Sequence, residues 1–67
     1  MTEQEAEKLS IALMQVVGLL DQTAAFVKDK DTTESWDKYR RAVGKAMGEV
    51  CLELAEPLLE RFPKLRP

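Results

Sequence analysis

Sixty-seven residues, a formal charge of −2 and a single cysteine set narrow bounds on this chain. The length allows one small domain, and an apolar share of 45% argues against disorder. With no histidine and one cysteine, an internal disulfide, the usual Cys/His zinc site and a His-based catalytic triad are all excluded.

Forty of the 67 residues are Ala, Leu, Glu, Lys, Arg, Gln or Met, the strong helix formers. No stretch alternates apolar and polar residues as a half-buried strand would, so the expected fold class is all-α. Thr2 and Glu5 have the spacing of a capping box, which starts a first helix near residue 3 and carries it to about residue 28. At 100° per residue, Ala6, Leu9, Leu13, Val16, Val17, Leu20, Ala24 and Val27 fall on one broad side, widened by Ala12 and Leu19. Ile11, Met14, Gly18 and Ala25 form a narrower stripe on nearly the opposite side. One neighbouring helix covers only one stripe, so the first helix wants more than one neighbour.

The longest uncharged run, Leu9 to Leu20, is twelve residues, short of the roughly 20 that span a bilayer. Its upstream flank, residues 3–8, is net acidic where a secretory leader is basic. The expectation is therefore a cytoplasmic protein with no membrane partner, and the lone Cys51 fits a reducing compartment.

Residues 28–33 are short, polar and charged, and suit a tight connection between helices. Asp31 with Glu34 forms the best-spaced box for starting the second helix, in competition with Thr32 and Thr33. The second helix is expected over about 33–62, bent or broken near Pro57, which lacks the amide hydrogen owed to the Glu53 carbonyl. Trp36, Tyr39, Val43, Met47, Val50, Leu54 and Leu58 share its apolar face, with Gly44, Gly48 and Ala55 beside it as points of close approach. Pro63 ends the element, so residues 1–62 form a helical-hairpin domain and 63–67 an extended tail.

The charge order along the second helix is unusual. Lys38, Arg40, Arg41 and Lys45 come first, and Glu49, Glu53, Glu56 and Glu60 follow, against the helix macrodipole. Glu34–Lys38 and Asp37–Arg41 offer local i,i+4 relief. An antiparallel hairpin also lays the acidic half beside Glu3, Glu5 and Glu7. Both conflicts ease when two hairpins pack end for end, which predicts a homodimeric four-helix bundle with a tetramer as a further possibility. Residues 9, 11, 13, 14, 16, 17, 20, 43, 47, 50 and 54 are the expected oligomer interface: Leu9, Ile11, Leu13, Met14, Val16, Val17 and Leu20 from the first helix, Val43, Met47, Val50 and Leu54 from the second.

Three sets of residues invite a chemical reading. The Glu49/Glu53/Glu56/Glu60 row has the spacing to hold Mg²⁺ or Mn²⁺ and resembles one acidic motif of the all-helical nucleotide pyrophosphohydrolases. That resemblance implies a metal-dependent hydrolase, but those enzymes pair two acidic motifs and only one is present. The Lys38, Arg40, Arg41 and Lys45 cluster, interleaved with Trp36 and Tyr39, suits a nucleic-acid-associated regulator, against which the acidic balance weighs. Cys51 has no histidine to activate it and reads as a packed thiol. The leading expectation is a small non-enzymatic homo-oligomeric module for protein–protein interaction or assembly. It needs no cofactor or metal, and its partners are itself and another protein.

Overall fold

The computed structural model describes all residues, Met1–Pro67, as helices joined by short connections, with no strand. Helix α1 spans Glu3–Lys30 and helix α2 spans Thr33–Glu49, and the two pack against each other as a hairpin. A π-helical segment, Val50–Ala55, leads into helix α3, Glu56–Arg61, and a single 3₁₀ turn at Pro63–Leu65 closes the chain. The molecule measures 45 × 18 × 16 Å, the length of its longest helix and the thickness of two.

The capping box at the start of α1 is complete. The Thr2 amide donates to Glu5 Oε1 at 2.7 Å and the Glu5 amide to Thr2 Oγ1 at 3.1 Å. The Thr2 amide bonded to its ionised form, with a smaller contribution from the Thr2 side chain, holds the Glu5 carboxyl below the usual carboxylate range. At the turn, Asp31 does not cap α2 as its spacing with Glu34 suggested. It ends α1 instead, donating its amide to the Val27 carbonyl, and its carboxylate accepts the Thr32 amide at 2.8 Å. Thr32 then takes the N-cap position, with its hydroxyl accepting the Ser35 amide at 3.2 Å. The connection between the two helices is thus two residues, Asp31 and Thr32.

Near Pro57 the second helix is interrupted by a change of helix type while its backbone stays helical. The chain widens into i→i+5 hydrogen bonding just before the proline, with the Glu56 amide donating to the Cys51 carbonyl, and Pro57 then occupies the first turn of α3. The wide turn inserts an extra residue into the three-four spacing of the inward face. Ala55, 8% exposed, therefore points inward where Leu54 was expected, and Leu54 stays 54% exposed. The expected extended tail is folded into the 3₁₀ turn, and Arg66 Nη2 reaches back to Glu56 Oε1 at 2.6 Å. Leu65 at the end of that turn is half-buried.

The seam between the two arms is narrow. Along α1 the inward residues are Ala6, Ser10, Leu13, Val17, Leu20, Ala24 and Val27, a strict alternation of four and three. Opposite them lie Trp36, Tyr39, Val43, Met47, Val50, Ala55 and Leu58. Only Ala6, Ala24, Val43, Ala55 and Leu58 are buried, three of them alanines. Gly44 and Gly48 are not points of close approach within the hairpin, since a Cβ on either would meet nothing within 4 Å.

The arms are held in register by contacts along their length. Tyr39 donates its hydroxyl to Thr23 Oγ1 at 2.8 Å, and the Thr23 hydroxyl donates to the Leu20 carbonyl at 2.7 Å. Near the turn, Lys28 Nζ lies over the Trp36 ring at 5.9 Å. At the open end Glu3 lines a surface cleft with Arg61, Phe62, Pro63 and Lys64. Arg61 and Lys64 thus place positive charge among the acidic residues that the sequence pattern had left facing one another.

Candidate interaction surface

The hairpin hides little of its surface. Its accessible area is 5241 Å², whereas a typical folded monomer of 7.6 kDa exposes about 4,300 Å². The radius of gyration, 14.6 Å, likewise exceeds the roughly 11 Å of a compact domain of this length. Two helices side by side can screen only the strip where they touch, and this chain carries more apolar residues than that strip holds.

The surplus is organised. Stepping back one residue from each inward position of α1 after Ala6, whose own neighbour is Glu5, gives Leu9, Ala12, Val16, Leu19, Thr23 and Phe26, again spaced three and four. One residue is about 100° of helix rotation, so this row forms a second seam at nearly a right angle to the first. All six residues are exposed, Leu19 at 59% and Phe26 at 65%. Leu19, Gln22, Thr23 and Phe26, spaced i, i+3, i+4 and i+7, line an open hollow of about 330 Å³ with Val27 and Tyr39. Gln15, Gly18, Leu19 and Gln22 line a second of about 380 Å³ with the same spacing. This diamond of four residues is the socket into which a neighbouring helix inserts one side chain. Tyr39 brings α2 to the same side of the hairpin, and Ala42 and Ala46 follow it at helical spacing.

The expected interface residues divide four ways. Leu13, Val17, Leu20, Val43, Met47 and Val50 are buried or half-buried and lie on the seam between the arms. Leu9 and Val16 stand on the exposed second seam, and Leu54 is exposed beyond the wide turn. Ile11 and Met14 are exposed on the other flank of α1, away from Leu9 and Val16. The pattern on the page missed Phe26 altogether and gave Leu19 only a supporting place. The three-four row from residue 9 to 26 was the signal that could have found both.

The charged sets are spread over the surface. Lys38, Arg40, Arg41 and Lys45 are exposed, and Asp37 pairs with Arg40 at 3.3 Å rather than with Arg41. Of the glutamates, Glu49, Glu53 and Glu60 are exposed and Glu56 is engaged by Arg66. No three acidic or thiol side chains converge to form a metal-binding group. Cys51 is half-buried and free.

The apolar length of α1 exceeds the twelve uncharged residues counted in the sequence. Asp21 interrupts that run with one charge, after which it continues to Val27, and an 18-residue window of the helix reaches a mean hydropathy of 1.5. By length and composition the helix could cross a membrane, a test that the core helices of soluble proteins also pass. Comparison with protein-family models, with curated proteins and with solved structures finds no match to this chain.

Proposed function

We propose that this chain is a non-enzymatic, self-associating helical module whose working form is a homodimeric four-helix bundle, serving protein–protein interaction or assembly. One observation carries the reading: a second apolar seam on α1, at about 100° to the first, stands uncovered. In a four-helix bundle each helix touches two neighbours at roughly right angles, so this arrangement of seams suits that architecture. The surplus of about 950 Å² over a typical monomer of this mass is close to the roughly 800 Å² that each partner buries in an ordinary specific interface.

A protein neighbour suits α1 better than a bilayer does. Asp21 lies near the middle of the apolar run, where an aspartate costs about 3 kcal/mol in hydrocarbon. The attached α2, with Arg40, Arg41, Lys45 and Glu49 exposed, has no apolar length with which to follow. Against a bundle partner, Asp21 keeps to the rim while the row from Leu9 to Phe26 is covered. The test is absolute mass in solution by sedimentation equilibrium at micromolar concentration, with flotation on neutral phosphatidylcholine vesicles in parallel. A dimeric mass without flotation supports the proposal. A monomeric mass, or partition into the vesicles, overturns it.

A further inference from the structure

The exposed seam of α1 has an internal symmetry that specifies how a second copy sits on it. Read from both ends, Leu9 matches Phe26, Ala12 matches Thr23 and Val16 matches Leu19: large with large, small with small, large with large. The pairs share one midpoint, between Val17 and Gly18. A twofold axis through that point and across the helix turns the seam onto itself, as an isologous interface requires. We infer that α1 packs antiparallel against α1 of a second copy, with Leu9 on the partner's Phe26, Ala12 on the partner's Thr23 and Val16 on the partner's Leu19. This inference rests on the homodimer reading and adds its face and register.

The charges of α2 support the same axis independently. The contacts of Tyr39 with Thr23 and of Lys28 with Trp36, and the cleft that Glu3 shares with Arg61, show how the arms run level. They place the midpoint of the α1 seam beside about Lys45. Bases lie on one side of that level, from Lys38 to Lys45, and acids on the other, from Glu49 to Glu60. The same twofold lays the basic half of α2 along the partner's acidic half, Lys38 close to the partner's Glu53. Charge that ran against the macrodipole within one chain becomes complementary across two. A parallel α1–α1 arrangement would instead set α2 bases beside bases and acids beside acids. The hollow at Leu19–Phe26 lies along this row and supplies a hole for a partner side chain.

The experiment is cross-linking of the full chain in a Cys51→Ser background with a short bis-maleimide. Leu9→Cys and Phe26→Cys are introduced singly and together. Within one helix the two positions are about 25 Å apart, too far for the reagent to bridge, so any bridge joins two chains. Ala12→Cys with Thr23→Cys repeats the test without removing apolar surface. The expected result is a covalent dimer from each double variant and none from any single variant, with helical circular dichroism retained. Cross-linking of Leu9→Cys alone would mean parallel helices and overturn the inference. So would an uncross-linked double variant whose sedimented mass is dimeric, and in that case the homodimer itself would stand. A monomeric wild-type mass would remove both.

Discussion

Leu19 and Ile11 offer a matched pair for testing which flank of α1 is covered. Both are aliphatic, both are on α1, and they are exposed to similar extents, 59% and 54%. Truncation of Leu19 to Ala removes three carbon groups, worth about 2.4 kcal/mol when fully buried from water. Because 59% of the residue is still open in the single chain, about 1.4 kcal/mol of that is left for assembly to recover. The twofold counts the residue twice, so Leu19→Ala should weaken the dimer by about 2.8 kcal/mol, roughly a hundredfold in Kd. Alanine is the stronger helix former, so α1 itself should not suffer. Ile11→Ala removes the same amount of hydrocarbon from the back of α1, about 150° from the inner seam and about 110° from the mean direction of the row, and should leave Kd within about twofold. Sedimentation equilibrium across a concentration series reads both. Equal weakening by the two variants, or no effect of Leu19→Ala, would refute the assignment of the interface to the row from Leu9 to Phe26.

Other consequences follow from single contacts. Thr2→Ala removes the capping box and should lower stability by about 1 kcal/mol in urea unfolding at neutral pH. Glu5 has a lower pKa folded than unfolded, so its stabilising effect is complete above the ordinary carboxylate range and is lost as pH falls through the lowered folded value. The Glu5→Gln variant, which cannot titrate, should therefore lose less stability than wild type between pH 5 and pH 3 (the acid limb, about the range of unperturbed glutamates). Pro57→Ala should gain less than about 1 kcal/mol in the same assay, because Pro57 stands in the first turn of α3; a gain near 3 kcal/mol would mean that it behaves as an interior proline. Tyr39→Phe should cost about 0.5–1 kcal/mol through loss of the exposed hydrogen bond to Thr23.

Much of the local structure was legible because it depends on neighbours in sequence. The Thr2–Glu5 box sits where its spacing predicts, and the polar residues around 31 do form the turn. Asp31 and Thr32 are adjacent residues that can both cap, and spacing alone does not say which of them takes the N-cap position: Thr32 does, while the Asp31 amide closes α1. The inner seam of the hairpin was legible only in part. A helix with apolar residues on most sides offers several three-four rows, and periodicity gives no reason to choose the row through Leu13 and Val17 for the inner seam over the row through Val16 and Leu19.

Taken by itself, the amino-acid sequence determined that this protein is helical, that it doubles back near residue 31 and that its first helix carries more apolar surface than one neighbour can cover. Those properties depend on composition, capping chemistry and a repeat close to 3.6 residues, all of which act over a few residues. Tertiary structure decided which row faces inward: α2 can cover only one strip of α1, the strip through Ala6, Leu13, Val17 and Ala24, and Leu19 and Phe26 are left outward. It also decided the register beyond Val50, where a π-helical turn ahead of Pro57 shifts the inward position from Leu54 to Ala55. An i→i+5 turn holds more residues than an α-turn, and that one added residue rotates everything after it relative to a pattern counted at constant pitch.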